Sequence, residues 1–553
     1  MNQKPITDNF PTGYSPTHLQ HNLEALAVLE PKLVQRISWP VDGSHVLFNG
    51  DNPIHYRLHF SLFPLDLSEA QCNSLIADSD PTKPFFVFGF GLGEIVDALL
   101  ERFPGQNISV WEKDPWLVRL FLMQKDYSEF LKNGCLHLWL GSDLILHLSE
   151  IAKCTPVFHP FLKQVYHNEI DWFQTGIAPQ RVLFNSGGLF VDQVVRELKE
   201  RGYMVYVSDL NRISIEEIEY TVAQFRPQML FSINYANGLA ELCRKCALIL
   251  VCWEIDPVID RLTAQSPDND HAFIFSYRKP NRDEFIKAGF KQAAYLPLAA
   301  DPVARKPQIL SAAEQIRYAA PVAFVGNVSL EPAEKYMRLL NENYGQYAQT
   351  RPLDARENPF ERILALQAQD YSVYGLPEWF ETYCGDFRHY FMERYGKTLD
   401  PVQLLAETAA ARKRMQYLVG LAAYGVKVWG DRGWETVLSG GVRYMGPAGH
   451  AFELNKIYSG ARINLDINRL YQADMINMRV FDILACGGFL LAEHSVELEE
   501  LFQIGSELDT FHTLDELQDK VRYYLERPDE ARAIALRGMQ AVRDKHTIRQ
   551  RVE

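Results

Sequence analysis

A short apolar strand, a glycine-bearing turn and an amphipathic helix follow one another repeatedly along this chain, and that alternation limits the fold more than any other feature. It opens clearly at "PFFVFGFGLGEIVDALLERFPGQNISVWEKD" (84–114), where a strand, a glycine turn, a helix and a second strand ending in acids make one βαβ half-unit. It starts afresh at "APQRVLFNSGGLFVDQVVRELKERGYMVYVSDL" (178–210) and runs on through "PQMLFSINY", "ALILVCWEIDP", "HAFIFSY" and "QAAYLPLA". After a polar stretch at 300–321, "VAFVGN" begins a third series. Helix-rich, aromatic sequence interrupts that series from about 331 to 422, and it resumes with "VKVWGD", "VRYMGP", "ARINLDIN" and "GGFLLAE". Strands alternating with helices form parallel sheets covered on both faces, so the expectation is an α/β protein with three Rossmann-like units. The aromatic residues of the insertion are expected to be core.

A length of 553 residues suits several domains at roughly 100–200 residues each. The expected division is an accessory Rossmann-like domain over 1–175, a second domain over 176–315, a third over 316–530 that carries the insertion, and a terminal helix over 531–553. Residues 1 to about 80 resist placement. The net charge of -14 argues against a nucleic-acid surface, which needs clustered cations; "ARKRM" (411–415) is the densest basic run. The start lacks the layout of a secretory signal and no run of ~20 apolar residues occurs, so no membrane span and a cytoplasmic location are expected. Eight cysteines are scattered without a disulfide framework, and the lone CxxC at Cys243 and Cys246 lacks a second ligand pair for zinc. No metal site is expected.

The chemistry concentrates in "NMRVFDILACGGFLLAE" (477–493). Ile476, Val480, Ile483 and Leu484 share a helical face, and Gly487 and Gly488 stop the helix. Asn477, Met478 and Arg479 occupy its first turn, where unpaired N–H groups and the positive end of the dipole favour an anion such as a diphosphate. Asp482, about one turn on, suits the hydroxyls of a ribose; the competing reading is an i, i+3 ion pair between Arg479 and Asp482. Strand ends bearing Gly326 and Asn327, Asp431, and Asn464, Asp466 and Asn468 are expected to converge there. In the front unit, Gly89, Gly91 and Gly93 with Glu112 form a glycine fingerprint that would suit NAD or S-adenosylmethionine, or a scaffold that keeps the turn and binds nothing.

From "AAYLPLAADP" onward, the pieces "VAFVGN", "VKVWGDRGW", "VRYMGPAG", "NKIYSGARINLDINR", "NMRVFDILACGGFLLAE" and the terminal helices resemble, in order, the glycosyl transferase family named after the spore maturation protein CgeB. The resemblance covers about 290–553 without the insertion, and more loosely 180–290. It implies a GT-B fold, with the nucleotide-sugar held mainly by the last domain and the acceptor by the one before. The family carries glutamate where this chain has Asp482. In related retaining enzymes an acid eight residues earlier faces the sugar, and Asp474 stands there, although such an acid is not usual in the CgeB group; retention or inversion stays open. The resemblance further implies a bacterial, metal-independent enzyme with no required cofactor, taking a nucleotide-diphosphate sugar, UDP-linked for preference. Arg479, helped by Lys335 or Arg338, would steady the leaving diphosphate. Asn185, Gly187 and Gly188 would serve the acceptor side and Asp256 would act as base, with His271 a weaker candidate. The acceptor could be a protein or a glycan, and oligomeric state is not fixed. The front portion is similar to that of bacterial flagellin-modifying glycosyl transferases. The alternative reading is a methyltransferase or nucleotide-binding module using the front glycine turn.

Overall fold

A computed structural model describes residues 13–48, 54–58, 61–257, 262, 270–349, 351, 357–396, 399–437, 440–449 and 452–553. The chain forms two compact units. One comprises Met1–Trp253, Gln265–Ile274 and Gly289–Gln292; the other comprises Glu254–Ala264, Phe275–Ala288 and Ala293–Glu553.

The first unit begins with helices Pro16–Leu29 and Pro31–Ser38, each with proline in its first turn, where a missing N–H costs nothing. A small antiparallel sheet follows, of β1 (Val46–Leu47), β2 (His55–Leu58) and β3 (Ser61–Pro64). A parallel sheet comes next, of β4 (Phe85–Phe88), β5 (Ile108–Glu112), β6 (Leu136–Leu140) and β7 (Thr155–Phe158), in the order β6-β5-β4-β7. All residues of β4 and β5 are buried, which explains why their sequences read as unbroken apolar runs rather than alternating ones.

The middle sheet contains β8 (Arg181–Asn185), β9 (Met204–Ser208), β10 (Met229–Ile233), β11 (Ile249–Glu254), β12 (Ala272–Ser276) and β13 (Gln292–Tyr295), ordered β13-β12-β11-β10-β8-β9. The carboxyl ends of β11 and β12 fall within the second unit.

Residues 175 and 176 both lie within the first unit. Arg36, 2% exposed on the second helix, donates to both carboxylate oxygens of Glu217 at 2.8 and 2.6 Å and to Asp143. Helix Ile215–Phe225, which carries Glu217, is thereby tied to the end of β6. Burial works against the Arg36 charge, but the two carboxylates outweigh it and hold its pKa above the usual range.

The second unit carries a six-stranded parallel sheet of β14 (Ala320–Val325), β15 (Val426–Trp429), β16 (Val442–Tyr444), β17 (Ala461–Asp466), β18 (Leu490–Glu493) and β19 (Asp509–Phe511), in the order β16-β15-β14-β17-β18-β19. Between β14 and β15 lie the helices Leu330–Ala348, Phe360–Gln369, Leu376–Tyr395 and Pro401–Gly420. Tyr344, Phe360, Phe380, Phe387 and Phe391 are buried in one core with β14 and β15, so the aromatic residues of the insertion are packing residues, as expected. Two doubly wound sheets in tandem, the middle one and this one, are the content of a GT-B fold.

Candidate functional site

Numbered in chain order, the strands of the last sheet run 3-2-1-4-5-6, so β14 and β17 are neighbours whose connections leave in opposite directions. Ligands in such sheets bind at the carboxyl ends of that pair, where the diverging helices leave a crevice. Arg479 spans this point: its Nε donates to Asp466 Oδ1 at 2.9 Å on the β17 end, and its Nη1 donates to the Val325 carbonyl at 2.8 Å on the β14 end. Asn477 fixes the geometry. Its Nδ2 donates to both oxygens of Asp466 at 2.9 and 2.7 Å and to Asn468 Oδ1 at 3.1 Å, and its Oδ1 caps the helix Met478–Ala485 by accepting from the Arg479 N–H at 2.9 Å. Six residues singled out from sequence, Gly326, Asp466, Asn468, Asn477, Met478 and Arg479, thus meet at one switch point. A Cβ on Gly326 would stand 2.7 Å from Arg479 Nη1. Gly326→Val is therefore expected to displace the guanidinium and cost about 1–3 kcal/mol of stability, read as a lower urea midpoint.

Sequence reasoning missed two cations that complete this site. Helix Pro401–Gly420 carries Lys413, 1% exposed, and Arg414, 7% exposed, beneath the strand ends. Arg414 donates to the Asn327 carbonyl at 2.7 Å and the Ile467 carbonyl at 3.4 Å, while its Nε is buried without a partner. Burial, then the neighbouring Arg479 and Arg469, push its pKa down to about 10. Lys413 contacts Glu493, whose other oxygen accepts from the Asn468 N–H at 3.0 Å; burial pulls the Lys413 pKa down, and Glu493 opposes this. The signal was present in "ARKRM", but a basic run on an amphipathic helix reads as a solvated face unless its inward side is known.

Several expected residues are placed elsewhere. Asp482 is 4% exposed and accepts from Arg305 Nε at 2.9 Å, so a ribose would compete with Arg305 for it. The competing ion-pair reading does not describe the arrangement either: Arg479 pairs with Asp466 and Asp482 with Arg305. Lys335 pairs with Glu331 at 2.6 Å, both side chains exposed, in the first turns of the helix that follows β14. Asp431 accepts from the Val328 and Ser329 N–H groups at 3.1 and 2.9 Å, bracing the loop that follows β14. Asp474 is gripped by both arms of Arg278, with Nε to Oδ2 at 2.8 Å. Asp256 lies exposed just beyond β11, and its carbonyl accepts from Asn281 at 3.3 Å.

At the switch point of the middle sheet, between β8 and β10, Asn185 Nδ2 donates to Ser232 Oγ at 3.0 Å and Asn185 Oδ1 accepts from the Leu210 N–H at 3.1 Å. Asn185 is a buried brace. Gly187 is exposed with φ +135°, and Gly188 sits against Ile233.

The front glycine turn is filled by the protein itself. A Cβ on Gly89, Gly91 or Gly93 would meet Leu162, His159 or Phe121 at 2.9, 2.8 and 2.5 Å. The expectation of a cofactor at this turn finds no support in that packing, and Glu112 is turned inward against Tyr166 instead of standing at the turn. Burial raises the pKa of Glu112 to about 8. An acid with a raised native pKa binds its proton more tightly folded than unfolded. The stability it adds is whole below the ordinary carboxylate range and is lost as pH climbs toward 8. Glu112→Gln, which copies the neutral carboxyl, is expected to flatten the decline of the urea midpoint between about pH 5 and about pH 9.

Among the described residues no cluster of His, Cys, Asp and Glu could hold a metal, and no helix is long and apolar enough to cross a membrane. Cys243 and Cys246 are free thiols.

No curated protein matches the sequence. Among solved structures, the chain is similar to sucrose-phosphate synthase from Thermosynechococcus elongatus (11% identity, covering 68% of this chain and 96% of that one, TM-score 0.39). It is similar to Anabaena HepE in complex with UDP and glucose (11%, 67% and 96%, TM-score 0.36), and to the MAf glycosyltransferase from Magnetospirillum magneticum AMB-1 (12%, 53% and 58%, TM-score 0.22). Overlap at this level is too loose to carry a site or a substrate across. Residues 403–553, which supply Lys413, Arg414, Asp466, Asn477 and Arg479, match a family model described as glycosyl transferase-like.

Proposed function

We propose that the protein is a CgeB-like glycosyltransferase of GT-B architecture that moves a sugar from a nucleotide-diphosphate sugar, UDP-linked, to an acceptor hydroxyl on a protein or a glycan. The observation that carries this reading is Arg414: a nearly buried cation bonded to backbone carbonyls, set beside Arg479 at the switch point of the sheet. Two guanidinium groups held close together in a poorly solvated place repel each other, and an anion between them relieves the cost. A diphosphate leaving group supplies that anion, and its negative charge grows as the glycosidic bond breaks.

In this reading Arg479, Arg414 and the Met478 N–H hold the diphosphate, and Gly326 and Asn327 let the backbone approach it. Asp482 takes the ribose once Arg305 yields. Asp256 and Asp474 are the acids available for acceptor deprotonation or sugar contact, and Gly187 and Gly188 lie on the acceptor side. No metal is required, because the cations do the work of a metal clamp.

Melting curves with UDP, GDP, dTDP, CMP and S-adenosylmethionine test the proposal. A nucleoside diphosphate at 100 times its Kd stabilises the native state by about 2.7 kcal/mol, and chelator should not change the shift. Stabilisation by S-adenosylmethionine, with no response to any nucleotide, would sink it.

A further inference from the structure

A cavity of about 600 Å3 lies wholly within the first unit, between the small antiparallel sheet and the carboxyl ends of β5, β8 and β9. Tyr56, Phe63 and Tyr166 form its apolar side, and Lys113, Asp114 and Arg212 its polar side. Tyr56 is 8% exposed, and its ring stands edge-on to His45 and Tyr166 at centroid distances of 4.9 and 6.4 Å. Burial, then the nearby Asp114 carboxylate, push its pKa well above the ordinary phenol range, so it stands as a neutral hydroxyl on the cavity wall.

The charges lining the cavity compensate one another. Lys113 pairs with Glu169 at 2.7 Å, Arg212 with Asp209 at 3.0 Å, and Asp114 with His45. A phosphate entering would face Asp114 and Asp209, and an ammonium would face Lys113 and Arg212. Neither sign is favoured. Helices His167–Thr175 and Val191–Glu200 begin at the cavity without side-chain caps, which leaves backbone N–H donors open to a ligand oxygen.

We infer that this cavity binds an uncharged carbohydrate, a mono- or disaccharide whose hydroxyls meet the Tyr56 hydroxyl, the paired charges and the helix N–H groups while its apolar face lies on the tyrosine and phenylalanine wall. Its volume falls in the range of about 300–1,000 Å3 ordinary for small-molecule sites. The site shares Gly187 with the acceptor-side turn and uses none of the residues around Arg479, so it stands apart from the donor reading.

Saturation-transfer NMR on the full chain with glucose, galactose, N-acetylglucosamine and maltose is the test, with inorganic phosphate as the charged probe. At least one of the four sugars should bind. Tyr56→Phe should weaken that binding about tenfold, the effect of one hydrogen bond, and Ser208→Trp, which fills the cavity, should abolish it. If Ser208→Trp fails to fold by circular dichroism, Tyr56→Phe decides alone. The inference is overturned if none of the four sugars binds, if binding is unchanged in the folded variants, or if phosphate displaces the sugar. The melting shift with UDP should survive in both variants, which keeps this outcome separate from the fate of the donor site.

Discussion

Arg479→Met is expected to abolish the melting shift that the proposed donor site predicts with UDP, and to lower sugar transfer by roughly 100- to 1,000-fold, the loss typical when one preorganised donor to a developing oxyanion is removed. The size of the effect follows from what the guanidinium joins. It ties Asp466 at the end of β17 to the Val325 carbonyl at the end of β14, and its side chain is still 22% exposed and so within reach of a ligand. Arg479→Lys keeps the charge but not the planar fork that reaches both strand ends, and is expected to recover only part of the loss. Nucleotide titration separates the two roles: if Arg479→Met binds UDP as the unsubstituted protein does, the diphosphate is not held here.

The largest loss of stability is expected from Arg36→Met. Removing the guanidinium leaves Glu217 and Asp143 facing each other in the interior, and breaking a buried ion pair from one side costs about 3–5 kcal/mol. The urea midpoint of the first unit, followed by tryptophan fluorescence, should fall accordingly. Adding Glu217→Gln and Asp143→Asn to Arg36→Met should restore much of it, because the penalty lies in the stranded carboxylates rather than in the lost side chain. A midpoint that stays in place in Arg36→Met would mean that the network does not clamp the front helices to helix Ile215–Phe225.

How much of the site was legible depended on range along the chain. The cluster of Asn477, Met478 and Arg479 could be read because capping and helix-end electrostatics act over one turn, and a turn is visible in sequence. Gly326 was legible for a similar reason, since a strand ending in glycine announces a close approach. Arg414 was hidden. It lies within an insertion that separates β14 from β15, and a residue on a twenty-residue helix has a site-facing direction only once that helix is packed. Asp482 shows the converse: its place on the helix was foreseen, but Arg305, remote in sequence, holds its carboxylate.

The glycine fingerprint at 89–93 gives the sharpest contrast. Spacing alone dictates a tight turn, and the turn is there, with φ at +64°, +62° and +107°. Whether such a turn cradles a ligand or receives a side chain depends on what the rest of the chain brings to it, and here the segment after β7 brings His159 and Leu162. The sequence by itself determined the alternation of elements, the parallel sheets and the helix ends, because those follow from neighbours a few residues apart. Only the tertiary structure decided which strand ends would face open space, which cations would be buried without a carboxylate, and which acids would be taken by distant arginines. Those outcomes are set by packing between segments whose separation along the chain carries no signal of their meeting.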